Sequence, residues 1–247
     1  MITLSGVNKV LKKAVAEGMP FSSVRLGDGE WEIIKWPKHG TYKQCLSRIG
    51  RWFDVSNITE AQVSEIRDGI LKACRRADLL GVPGAGDRKY LKWRGFQTLK
   101  TQHYYIEPKY EYNFYEVVNV NYRYILQGVK NITCITCRNI GDKIEQRFNL
   151  KAKMILVPRE TWTWNKATQC DKTIKGTHYP DMYNDICKRI AHETNLGSIY
   201  LIGAGGLGKI YCNCVKKAGG IAIDIGALFD GWAGLKTRPY LKRDRKL

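Results

Sequence analysis

The chain has 247 residues, 44% of them hydrophobic and 26% charged, a balance that buries a core and excludes a disordered or collagen-like polymer. Lys and Arg number 41 against 23 Asp and Glu, a net charge of +18. That excess says nothing about fold but favours a polyanionic partner, whether nucleic acid, anionic membrane or a phosphorylated substrate.

Val7, Val10, Leu11, Ala14 and Val15 recur at helical spacing ahead of Gly18 and Pro20, so the chain opens on an amphipathic helix. Lys9, Lys12 and Lys13 interrupt its apolar pattern, which does not read as a secretion signal. No run approaches the roughly 18–20 uncharged apolar residues of a membrane span, and the expected location is cytoplasmic, a host's cytoplasm if the protein is viral. A short strand, Ser22 to Leu26, leads into Gly27-Asp28-Gly29-Glu30, which reads as an acidic turn. Thr59 and Gln62 form a capping box ahead of the helix carrying Val63, Ile66, Ile70, Cys74 and Ala77. A buried-type strand, Leu79 to Val82, ends at Pro83-Gly84. Residues 88–126 are rich in tyrosine and weakly periodic, an excursion from the sheet or a substrate-facing segment. Then come strand Ile132–Thr136, helix Gly141–Phe148, strand Met154–Val157, helix Asp181–Thr194, strand Ser198–Ile202, helix Leu207–Ala218 and strand Ile221–Ile225. A basic tail, residues 236–247, closes the chain. This alternation predicts one α/β domain over residues 1–247, with a Rossmann-like, mostly parallel sheet and helices on both faces.

The eight cysteines read as packing thiols in a reducing compartment. Cys134 and Cys137 form a CxxC, but inside a strand-like run, and no second pair completes a zinc site. Cys212 and Cys214 lie two apart on a helix and point away from each other.

Ligands of parallel sheets gather beyond the carboxyl ends of the strands. The residues to interrogate are therefore Gly27 to Glu30, Arg138-Asn139, Arg159 to Trp162, Gly203 to Lys209, and Asp224 to Gly226. Gly203, Gly205 and Gly208 complete a GxGxxG between a strand and a helix, and Asp224 follows Gly203 by 21 residues. That is the dinucleotide fingerprint. Only 23 residues remain after Asp224, however, too few for the strand–helix units that bind a second nucleotide half. What survives is a glycine loop at a helix N-terminus with Lys209 in the first turn, suited to a phosphate or carboxylate. Tight strand–helix packing explains the glycines equally well.

Asp28 and Glu30, two residues apart beside Gly27 and Gly29, can converge on a hard divalent cation that bridges to diphosphate oxygens, with Arg25 within reach of the same anion. Ser23-Val24-Arg25-Leu26-Gly27-Asp28-Gly29-Glu30, together with the closing strand, glycine loop, helix and Ala222-Ile223-Asp224-Ile225-Gly226, resembles the GT-D family of glycosyltransferases over roughly Ser22 to Asp230. The resemblance implies a sugar transferred from a nucleoside diphosphate sugar, a UDP-sugar in the first instance. It implies Asp28 and Glu30 as ligands of Mg²⁺ or Mn²⁺ and of the diphosphate, and a donor cleft bordered by Gly203, Gly205 and Asp224. Arg25 or Lys209 would help neutralise the leaving group. Asp224, Glu160 and Asp230 are the candidate general bases for the acceptor hydroxyl.

The surplus charge bears on the acceptor. Lys236, Arg238, Lys242, Arg243, Arg245 and Lys246 crowd the tail against one acid, Asp244, as suits a phosphate backbone. Lys92 and Arg94 flank Trp93 in a segment where cations and aromatics alternate, a mix that grips backbone while stacking bases. A hydroxymethylated base rotated out of a duplex would need both backbone grip and an aromatic pocket. The reading is therefore a phage-type enzyme that glycosylates modified pyrimidines in DNA. Two alternatives stay open: a polysaccharide or glycoprotein acceptor, and a non-catalytic nucleic-acid-binding protein in which Asp28-Gly29-Glu30 is only a turn.

Overall fold

The structure, a computed structural model, describes residues 4–53, 57–81, 104–106, 119–159, 174–238 and 241. Helix α1 (Leu4–Glu17) precedes β1 (Phe21–Arg25), and α2 (Asp28–Lys35), α3 (Tyr42–Phe53) and α4 (Glu60–Arg76) lead to β2 (Leu79–Gly81). Strand β3 (Tyr104–Ile106) and the short α5 (Tyr122–Ile125) follow, then β4 (Asn131–Thr136), α6 (Gly141–Phe148) and β5 (Lys151–Leu156). A π-helical turn (His178–Met182) runs into α7 (Tyr183–Glu193), and β6 (Ile199–Gly203), α8 (Gly205–Lys217), β7 (Ile221–Asp224) and α9 (Leu228–Trp232) complete the described elements.

The seven strands form one sheet in the order β3-β2-β1-β7-β6-β4-β5, and every pairing in it is parallel. From β1 the first half of the chain winds outward through β2 to β3. The second half fills the other side and finishes with β7 against β1, where Phe21 pairs with Ile221 and Ser23 with Ile223.

Alternation along the strands divides the core into two layers. Tyr200, Ile202 and Ala222 face the layer built with Ile66 and Ile70 of α4, Ile186 and Ile190 of α7, and Ile210 and Val215 of α8. Ile199, Leu201, Ile221 and Ile223 face the opposite layer with Val7 and Leu11 of α1, Ile144 of α6 and Trp232 of α9. Helices therefore cover both faces, as the α/β pattern predicts. No helix among the described residues is long and apolar enough to cross a membrane.

Local signals explain the element ends. Thr59 Oγ1 accepts the Gln62 N–H while Gln62 Oε1 accepts the Thr59 N–H, so the expected capping box is present. Three readings change. Asp28 to Glu30 is the first turn of α2 rather than an open turn. Helix α3 was not expected, although Cys45, Ile49, Trp52 and Phe53 bury one helical face. Within residues 88–126, Tyr104–Ile106 joins the sheet beside β2 instead of leaving it, and the stretches 82–103 and 107–118 lie outside the described residues. The seven described cysteines are free thiols, and burial pushes Cys134 up to about 12, which makes a reactive thiolate there unfavourable.

Candidate active site

A cavity of about 490 Å³ opens at the carboxyl ends of β1, β4, β5 and β6, where a parallel sheet is expected to bind its ligand. Each strand delivers its following residues to the rim: Arg25 and Gly27 from β1, Thr136 to Arg138 from β4, Val157 to Arg159 from β5, and Gly203 to Gly205 from β6. Gly226, Ala227, Phe229 and Asp230 arrive after β7, and Arg48, Arg51, Trp52 and Phe53 close one wall from α3. Among the described residues, seven Arg or Lys side chains and two carboxylates, Glu30 and Asp230, line it.

At the floor the structure brings together residues far apart in sequence. Lys209 Nζ lies 2.9 Å from Glu30 Oε1 and 2.9 Å from Asp224 Oδ2, with its side chain 2% exposed. It also donates to the Gly205 carbonyl at 3.3 Å, so the ammonium has three partners within the chain. Glu30 sits at the third position of α2, where its Oε2 accepts the Gly27 N–H at 2.9 Å. Asp224 Oδ2 accepts the Arg25 N–H at 3.3 Å. Burial raises the Glu30 carboxyl, but Lys209 and Arg25 more than offset it and hold the group below its ordinary value. Burial likewise opposes charge on Lys209, yet Asp224 and Glu30 raise its ammonium above the ordinary value. The three groups thus form a buried ion cluster tying α2, α8 and β7 together.

A second cluster stands on the rim. Arg138, itself buried, donates through Nε to Asp230 Oδ1 at 2.7 Å, and Asp230 Oδ2 accepts the Thr237 hydroxyl. Arg48 of α3 holds Glu32 in a two-pronged pair at 2.9 and 2.7 Å. His178 lines the cavity from the π-helical turn, hydrogen-bonded through Nε2 to the Tyr211 hydroxyl at 3.0 Å and edge-on to Phe53. Burial pushes its pKa down to about 3, so the imidazole is neutral at physiological pH.

The glycines answer to packing within the chain. A Cβ on Gly206 would sit 2.4 Å from the Trp52 ring and one on Gly29 2.7 Å from the same ring, so the indole fits only because α2 and α8 each offer a glycine. A Cβ on Gly203 would meet the Gly226 carbonyl and the Phe229 ring, each at 2.6 Å. Gly205 opens α8 with φ +56°, a backbone that favours glycine. Close packing therefore accounts for Gly203 and Gly206 without a dinucleotide.

Of the residues singled out from sequence, Arg25, Gly27, Glu30, Gly203, Gly205, Lys209 and Arg238 line the cavity. Asp224 is buried beside it. Asp28 opens α2, but its side chain lies outside the described residues, as do Glu160, Lys92, Trp93, Arg94, Lys242 and Arg243. Sequence reasoning missed the α3 wall and His178. The 45, 49, 52, 53 spacing carried a signal for α3; a lone histidine beside a π-helical turn carried none.

Of the two acids expected to hold a divalent ion, only Glu30 has a described side chain. Both Glu30 oxygens already have partners, one of them a cation at 2.9 Å. Among the described residues no group of three or more His, Cys, Asp and Glu side chains is arranged to hold a metal ion.

A family model described as a GT-D fold-like domain matches residues 2–232. Among solved structures, the chain is similar to the selenomethionine-substituted structure of domain of unknown function 1792. The match covers 94% of this chain and 80% of that one at 12% identity and a TM-score of 0.52, a likeness of fold. A comparison with curated protein sequences finds no match.

Proposed function

The chain belongs to the GT-D-like family, whose fold supports glycosyl transfer in general, and from that premise we propose that it moves a sugar from a nucleoside diphosphate sugar, a UDP-sugar in the first instance, to a hydroxyl on a hydroxymethylated pyrimidine in DNA. The observation that carries the donor half is the cavity itself. Its volume of about 490 Å³ lies in the range of small-molecule sites, roughly 300–1,000 Å³. Its seven cationic side chains against two carboxylates favour a ligand with several negative charges. Departure of a diphosphate from an anomeric carbon builds charge on the leaving oxygens, and fixed cations in a partly enclosed site stabilise that charge without reorganising. Trp52, Phe53 and Phe229 contribute to the walls, and their rings are buried in packing, which gives the cavity a firm apolar lining.

The acceptor half rests on the net charge of +18. A diphosphate occupies only a few cations, and the surplus in Lys92, Arg94, Lys242 and Arg243 suits a phosphate backbone, whereas Arg238 lines the donor cavity. Asp230, which lines the cavity with its oxygens on Arg138 and Thr237, stands with Glu160 as the candidate for accepting the acceptor proton, Asp224 being buried against Lys209. A glycan acceptor is the second reading, favoured by the same donor cavity.

The test offers a panel of nucleoside diphosphate sugars with duplex DNA, with and without 5-hydroxymethylpyrimidines, and reads the masses of the digested nucleosides. A sugar-sized gain confined to hydroxymethylated DNA is expected. Donor hydrolysis with no DNA product would move the acceptor to a glycan, and no donor binding or turnover would leave a binding module and end the enzyme reading.

A further inference from the structure

Resting on the reading of the cavity as a nucleoside diphosphate site, we propose that the donor diphosphate is neutralised by the protein's own cations, with Lys209 standing between Glu30 and Asp224 in the role that a divalent ion would otherwise fill. An acidic pair beside a diphosphate repels it unless a cation intervenes. Here the cation is built into the fold. Lys209, the fifth residue of α8, is buried and contacts a carboxylate oxygen of each acid at 2.9 Å. Each Glu30 oxygen already holds a partner, Oε1 the Lys209 ammonium and Oε2 the Gly27 N–H that begins α2. A metal at Glu30 would compete with the Lys209 contact and bring a second positive centre beside a buried ammonium, which is unfavourable.

Lys209 does not touch the diphosphate directly, because its ammonium is held by Glu30, Asp224 and the Gly205 carbonyl. Its part is that of a positioning residue: with Arg25, whose charge also acts on Glu30, it offsets the two acids of the floor and so reduces the field opposing an anionic ligand. Arg48, Arg51 and Arg138 line the same cavity, Arg48 held by Glu32 and Arg138 by Asp230, and guanidinium planes fixed in this way suit phosphate oxygens.

The test is calorimetric titration of the full chain with UDP, GDP, TDP and ADP, once in excess EDTA and once in excess Mn²⁺. The proposal expects the tightest of these to bind with dissociation constants equal within about twofold in the two conditions. It expects no saturable Mn²⁺ binding to the protein alone. Lys209→Gln, which leaves the two acids facing each other, should acquire Mn²⁺ binding and a Mn²⁺-dependent rise in Tm that the parent lacks. Lys209→Arg keeps the charge and should remain indifferent to Mn²⁺, and the titration of the parent stands even if Lys209→Gln fails to fold. A loss of nucleotide affinity of about tenfold or more in EDTA, restored by Mn²⁺, would overturn the proposal while leaving the donor reading intact. Failure of every nucleoside diphosphate to bind in either condition would overturn both.

Discussion

Lys209 is the residue on which the floor of the site depends. Removing its ammonium strands Glu30 and Asp224 as buried carboxylates, and breaking a buried pair on one side costs about 3–5 kcal/mol. Urea unfolding of Lys209→Met should show a loss of that size, whereas Glu30→Gln, which keeps an oxygen for the Gly27 N–H, should lose less. His178 sets a pH dependence of its own. Its folded pKa of about 3 lies below the ordinary 6.5, so between those values the unfolded chain binds a proton that the folded chain does not. Stability therefore falls as pH falls through that window, by about 1.4 kcal/mol per pH unit. Glu30, also held below its ordinary value, adds loss in the same direction at lower pH. His178→Gln should flatten the fall between about pH 6 and pH 5, as read by chemical denaturation. The charged residues of the floor were legible in sequence as individuals. Their pairing was not, because Glu30 and Lys209 meet only through the strand order that sets β1 beside β7.

Among the elements, the strand–helix alternation was readable because period-2 strands and 3.6-period helices leave distinct apolar patterns. Capping signals fixed α4. The two missed helices, α2 and α3, fail for different reasons. Gly27 and Gly29 make the start of α2 look like a turn, yet Gly29 is there because α3 presses the Trp52 ring against it. That requirement comes from tertiary contact and has no local signature. It also yields a graded prediction. Gly206→Ala forces a Cβ to 2.4 Å from Trp52, while Gly208→Ala places one 3.3 Å from an Ile202 methyl. The first should cost about 1–3 kcal/mol as overpacking and weaken ligand binding by tilting the start of α8. The second, relieved by a small shift of one methyl group, should cost clearly less; thermal melts of the two variants side by side decide it.

At the scale of the whole molecule, the parallel sheet and the location of the cavity followed from the sequence pattern and the rule that ligands sit beyond the strand ends. The acceptor did not, since +18 describes an electrostatic preference and not a geometry. Its consequence is measurable. Affinity for duplex DNA should fall steeply with salt, and deleting residues 242–247, which carry Lys242, Arg243, Arg245 and Lys246, should lower the slope of log K against log salt by up to about 3–4. An unchanged slope would remove the tail from the acceptor reading. The claim from which the rest follows is that the donor occupies the cavity over β1, β7, β6 and β4, and photo-crosslinking with an azido-substituted nucleoside diphosphate sugar, mapped by peptide mass spectrometry, tests it most directly. The account predicts label on the peptides carrying Arg25 to Glu30, Arg48 to Phe53, Thr136 to Arg138, Val157 to Arg159, Gly203 to Lys209 or Gly226 to Arg238, suppressed by excess unmodified donor. Label confined to other peptides, or label that excess donor does not suppress, would contradict it.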